Sequence, residues 1–312
     1  EGQGRVISNG TVGGGVVASE YRHPVLSRIS ECLENLRGVE DPKASRAVRW
    51  TPLAAGMAAT LMALEGSGSL GERCRQAREC LSEDLTGERR VGQTYTGLLK
   101  ALERQAELIP RIWDGLRRQI RSKWESSQED HGWMLLAADG SKEMLPRTEA
   151  NEEQFGIGDN GESPQAFITV LIEVSTGAPW DVQIDRATWP FGVVKRVVQT
   201  VYAGPRKRQR EVEPLRLRLI RVGTKDAPVY LLTNVLDPKL LSNRAAGEIY
   251  RKRWGVEVFY RTFKQTMGFA KLRSRSGVRA TLELSWGLIA AAIAMLIGVE
   301  ALGAKAAPAW RG

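Results

Sequence analysis

Ser242 to Met267, SNRAAGEIYRKRWGVEVFYRTFKQTM, has the apolar spacing of one long helix that carries a charged stripe beside an apolar one. At about 100° per residue, with Tyr250 set at zero, Arg253 falls at about 300°, Glu257 at about 340°, Arg261 at about 20° and Lys264 at about 320°. Ile249, Val256, Phe259, Tyr260, Phe263 and Met267 take the neighbouring arc, as a core-facing stripe does. One carboxylate among three cations departs from a solvated face, on which signs alternate for mutual pairing. The pattern predicts a metal ligand, Glu257, among phosphate binders.

The rest of the composition suits that expectation. A chain of 312 residues with 42% apolar content buries a sizeable core, as one large domain or two smaller ones. Forty-five Lys and Arg against 36 Asp and Glu give a net charge of +9 and a pI of about 9.6. A polyanionic partner follows, although charge alone does not separate nucleic acid from a membrane surface. Cys32, Cys74 and Cys80 show no CxxC spacing, which points away from a disulfide framework or a zinc site and towards a reducing cytoplasmic setting. The apolar run Leu284 to Val299 is alanine-rich and short of the ~20 residues a bilayer requires, so it reads as a buried helix and not as a membrane partner. Residues 1–24, with Gly2, Gly4, Gly10, Gly13, Gly14 and Gly15, read as a disordered leader without a signal-peptide core.

From residue 25 to about 130 the pattern is helical. Leu26, Ile29, Cys32, Leu33 and Leu36 form one amphipathic face, and Pro52 opens a helix to Leu64. Further helices are expected over Leu70 to Leu81, Thr94 to Leu108 and Arg111 to Trp124. The cations Arg111, Arg117, Arg118, Arg121 and Lys123 on this all-helical subdomain read either as a solvated surface or as a module that recognises DNA ends.

At Gly132 the periodicity changes. Trp133 to Ala138, Gln165 to Val174 and Trp180 to Ile184 read as the strands of an antiparallel meander, with residues 145–164 as a polar surface loop. Asp139 then stands where the first strand runs out, followed by Gly140 and Ser141. Alone, such an Asp also forms turns. Paired with Glu257 it supplies the oxygen ligands that Mg²⁺ takes. No GxxxxGK[ST], HExxH or GxSxG motif competes, and His23 and His131 are the only histidines.

Tyr250, Arg253, Glu257 and Lys264, with two, three and six residues between them, resemble the Y-R-E-K signature of the IS4-type insertion-sequence transposases. Asp139-Gly140-Ser141 resembles the strand-end Asp of that family, and Val229 to Asp237 resembles its strand before the signature helix. The resemblance covers roughly residues 132–302. It implies an α/β, ribonuclease-H-like mixed sheet with flanking helices, over residues 131–305, preceded by the helical subdomain. It also implies catalysis of DNA transposition on the nucleoid: Asp139 and Glu257 would bind Mg²⁺ or Mn²⁺, while Tyr250, Arg253 and Lys264 would hold phosphates of double-stranded transposon ends, with a homodimer on DNA. Arg261 shares their face without belonging to the signature.

The family's second Asp has no counterpart. Asp159 and Asp226 fall in a loop and a turn, Asp237 precedes Pro238, and Asp185 ends the third strand, about 10 Å from the first at ~4.8 Å per strand. Residues 186–210 are too few for a helix, an Asp-bearing strand and an insertion, which points to an internal deletion; a rearranged site using Asp185 is the rival. Arg206, Lys207, Arg208, Arg210, Arg216, Arg218 and Arg221 form the densest basic stretch, and Lys271, Arg273, Arg275 and Arg279 continue the cations beyond the signature. The expectation is a degenerate transposase with impaired catalysis, or else a non-catalytic protein that occupies transposon ends.

Overall fold

The computed structural model describes residues 17–41, 50–65, 67–82, 86, 91–127, 134–157, 161, 163–174, 176–186, 216–224, 228–251, 254–269 and 272–302. Five α-helices come first: α1 (Val17–Cys32), α2 (Pro52–Leu64), α3 (Leu70–Glu79), α4 (Tyr95–Arg104) and α5 (Ile109–Ser127). Their starts are written locally. The hydroxyls of Thr51, Ser69 and Thr94 accept hydrogen bonds from the amides of Ala54 (3.4 Å), Glu72 (3.2 Å) and Gly97 (3.1 Å), and Pro52 opens α2 where its missing N–H costs nothing. Because α1 begins at Val17, the expected leader is too long: residues 17–24 are helical backbone.

Three strands follow as an antiparallel meander in the order β1 (Leu136–Met144), β2 (Gln165–Glu173), β3 (Pro179–Arg186). The first strand lies later than expected. Asp139, Gly140 and Ser141 do not turn; they pair with Val170, Thr169 and Ile168 in mid-strand. The long apolar β2, six residues of which are buried in succession from Ile168 to Glu173, overrides the local turn preference of Asp-Gly. Gly140 is needed for a different reason, since a Cβ there would stand 2.5 Å from the Phe167 ring across the ladder.

The expected loop between β1 and β2 holds a helix, α6 (Glu149–Phe155), capped by the Thr148 hydroxyl, which accepts from the Asn151 amide at 3.3 Å. A separate hairpin pairs β4 (Arg218–Gly223) with β5 (Pro228–Thr233). The signature helix is not one rod. It comprises α7 (Asn243–Arg251), α8 (Trp254–Arg261) and a π-helical turn (Thr262–Thr266) closed by the Met267 amide on the Thr262 carbonyl at 3.0 Å.

The last helix, α9 (Gly277–Leu302), is longer than the apolar run suggested. By length and composition it could cross a membrane, but 67% of its apolar window is buried within the protein. Leu284, Leu288, Ile289, Ala292, Ile293 and Leu296 are wholly enclosed. This helix touches α1, α2, α4, α5, α6, β3 and the π turn, so a single apolar cluster runs from the helical half into the sheet. At its C-terminal end Glu300 receives Arg28 of α1 at 2.7 Å and Lys123 of α5 at 2.8 Å. The hairpin and α7 share a second, smaller cluster around Ile220, Leu241 and Ala246.

Candidate active site

Successive side chains of a strand alternate in direction, so Asp139, Ser141 and Glu143 share one face of β1. The segment α8 and its π turn lies against that face. Its anchors are aromatic: Phe259, Phe263 and Phe269 form a stacked series with centroids 6.1 Å and 4.7 Å apart, the first two rings fully buried. Tyr260 belongs to the apolar stripe by sequence, yet its hydroxyl bonds the carbonyls of Asp139 (2.8 Å) and Ile168 (3.2 Å). Burial, reinforced by the negative charge of Asp139, pushes this phenol above its ordinary range, so it stays a donor.

Glu257 stands one turn before Tyr260, half-buried, on the same side of α8 by its i, i+3 spacing. The two acids therefore have a common neighbour in Tyr260. Asp139 is half-buried, and its own carboxylate accepts from the Gly140 amide at 2.8 Å.

The other end of the segment is held by a charge pair invisible in the sequence. Glu143 has no exposed surface, and the Lys264 ammonium lies 3.1 Å from its Oε1, an ion pair too oblique to count as a hydrogen bond. Lys264 also donates to the carbonyl of Lys142 at 3.1 Å. Burial holds the Glu143 carboxyl above the ordinary range, against the opposing pull of Lys264 and Ser141. The contacts Tyr260 to Asp139 and Lys264 to Glu143 advance in the same direction along strand and helix, four residues on each.

The other expected site residues are spread out. Arg261 is exposed. Tyr250 lies on α7, where it walls a cleft against β4. Arg253 lies outside the described residues, as do Asp159, Asp226, Lys271 and the whole of 187–215, with the supposed deletion and its basic run. Several cations expected on a phosphate track are engaged within the protein: Arg218 donates to the carbonyls of Leu236 and Leu241, Arg279 pairs with Glu103 at 2.6 Å, and Arg273 donates to the carbonyl of Gly68 at 3.3 Å.

Asp185 fails on geometry. The residue of β3 in line with Asp139 is Val182, through Val170, so Asp185 lies three residues further along and on the opposite face of the sheet. Asp181 shares that opposite face and pairs with Arg117 of α5 at 3.3 Å. Among the described residues no three His, Cys, Asp or Glu side chains form a group able to hold a metal. Glu143 does not complete one, because four strand residues, about 13 Å, separate it from Asp139. The candidate donors are thus two carboxylates, Asp139 of β1 and Glu257 of α8, a set that fits part of the shell of a hard cation that keeps several waters.

Comparison with known proteins agrees with this architecture. Residues 97–293 match the family model described as a transposase DDE domain, and the chain belongs to the DDE transposases, of the IS4 type. Its mixed α/β content, with small antiparallel sheets and flanking helices, is compatible with that family. A curated relative, the transposase InsG for insertion sequence element IS4 of Escherichia coli strain K12, is 35% identical over 75 residues. That alignment takes in 24% of this chain and 17% of the relative, so the chain aligns with under a fifth of the relative's length. No solved structure matches the chain.

Proposed function

We propose that this chain binds double-stranded DNA ends through a shortened ribonuclease-H-like domain, over residues 131–305, and cleaves them poorly. The observation that carries this reading is the seat of the signature segment on β1, with Tyr260 bonded to the Asp139 carbonyl and Lys264 beside Glu143, which brings the segment that bears Glu257 to the strand that bears Asp139. Asp139 and Glu257 would hold a divalent cation, Mg²⁺ or Mn²⁺, whose chemistry when bound is to activate an attacking hydroxyl at a phosphodiester. Tyr260 fixes the helix over the strand, and Lys264 and Tyr250 meet phosphates. With Asp139 and Glu257 as its candidate donors and no group of three among the described residues, the site orients DNA and cation but leaves the cation under-held. Loss of the second Asp by an internal deletion would account for this. The helical subdomain, residues 25–130, would add contacts to the DNA end, and a dimer on DNA in the cytoplasm would suit a pair of transposon ends.

The test is nicking of a supercoiled plasmid with Mg²⁺ or Mn²⁺, run beside a binding assay on linear duplex. Duplex binding with little or no nicking is expected. Rapid nicking abolished by Asp139→Ala would refute the impairment. Nicking absent under every condition, with binding retained, would favour the second reading, a non-catalytic occupant of transposon ends.

A further inference from the structure

Tyr250 does not sit beside the acids' strand but in a cleft of about 550 Å³ between the end of the β4–β5 hairpin and α7. We propose that this cleft is a second DNA-backbone site, separate from the acid-bearing face and centred on Arg221, Arg244 and Arg251, none of which belongs to the signature. The proposal rests on the DNA-binding reading above and extends it to residues that reading does not use.

All three arginines are exposed, and among the described residues that line the cleft none carries a carboxylate. Three guanidinium groups stand around the cleft beside the Tyr250 phenol and the Asn243 amide, a positively charged set that suits an acceptor-rich, negatively charged ligand. The Arg244 partner, Glu248, lies outside the cleft at 3.1 Å, and with Arg244 90% exposed this surface pair is weak enough to yield to a phosphate. The cleft's shape depends on Gly247, where the absence of a side chain leaves α7 open towards Val222. Ile220, packed into the small cluster beneath, keeps the hairpin and α7 at fixed separation.

Position gives the cleft its meaning. Tyr250 lies on α7, and Glu257 lies seven residues on in the chain, on α8. The hairpin clasps the duplex while α8 presents the acids.

Two variants test this, with a fluorescent duplex of random sequence as probe and anisotropy read over a range of salt concentrations. Each phosphate contact contributes about 0.9 to the slope of log affinity against log salt, so Arg221→Ala/Arg244→Ala/Arg251→Ala should flatten it by nearly three. The matched triple Arg37→Ala/Lys100→Ala/Arg147→Ala, which removes the same charge from exposed positions outside the cleft and outside the cations read as a DNA-end module, should flatten it less. Gly247→Glu adds an acid inside the cleft on a helix position that favours Glu over Gly, and should weaken binding at least tenfold where Gly247→Gln does not. If the wild type binds with a steep slope and both cleft variants keep it, the cleft proposal is wrong while the DNA-binding reading stands. If the matched triple flattens the slope as much, the effect is one of net charge and the cleft is again rejected. A wild-type chain that fails to bind duplex at low salt removes both.

Discussion

Glu143 is the residue on which the signature segment's placement depends. A carboxylate with no exposed surface has one counter-charge among the described residues, Lys264, and the lysine is itself only 30% exposed. Lys264→Met leaves that acid buried and unpaired, and urea unfolding near neutral pH should lose about 3 kcal/mol, the lower end of the usual range because Lys264 keeps some contact with water. Adding Glu143→Leu to the same chain should recover most of the loss, since an apolar pair often replaces a buried ion pair without cost. If Lys264→Met were as stable as the wild type, the pair would be incidental. Glu143 also gives stability a pH dependence. Its carboxyl is raised in the folded chain, so the share of stability it contributes is complete below its ordinary value of 4.5 and is lost as pH rises through the raised value. Glu143→Gln does not titrate, so the wild type should lose melting temperature relative to that variant as pH is raised from below 4.5 towards neutral; a gap moving the other way would contradict the burial argument.

Elements whose signals are local were legible, and those made by partners were not. Thr51-Pro52, Ser69 and Thr94 announce α2, α3 and α4 within a residue or two, because a cap and its first turn lie together in the chain. The helix α6 was hidden by its polar composition, although Thr148 three residues before Asn151, with Glu149 and Glu152 in the first turn, is a capping pattern. Tertiary bonds hold it: Asn151 is fully buried and donates to the carbonyls of Pro146 (2.9 Å) and Ser274 (3.1 Å), while the Thr148 hydroxyl donates to the Arg275 carbonyl at 2.8 Å. Asn151→Ala orphans two carbonyls and should cost about 1–3 kcal/mol in denaturant unfolding. No loss on substitution would mean that α6 is held by its cap alone. The π turn had no sequence signature either. Lys264, whose ammonium lies beside Glu143, stands within it.

Over the whole molecule, α9 joins what composition divides. The helical half and the sheet were separable in the sequence by periodicity alone, yet both pack on α9, and Glu300 ties α1 and α5 to its end. Thermal unfolding followed by helix dichroism and by tryptophan fluorescence should therefore give coincident transitions, since Trp113 lies on α5 and Trp286 of α9 packs against Gly56 of α2 in the helical half, while Trp180 lies in the sheet. Two separated transitions would show that the halves fold alone. The candidate site was legible to the same degree: Asp139 and Glu257 could be paired from motif and spacing, but their common neighbour Tyr260, the clamp at Glu143 and the opposite facing of Asp185 required the strand register. The proposed function turns on a cation site held by two acids, Asp139 and Glu257. Mn²⁺ binding followed by electron paramagnetic resonance, on the wild type beside Asp139→Ala, Glu257→Ala and Asp185→Ala, tests this most directly. The expected result is one weak site lost in either of the first two variants and unchanged in the third; a site that survives both Asp139→Ala and Glu257→Ala, or that disappears with Asp185→Ala, would contradict it.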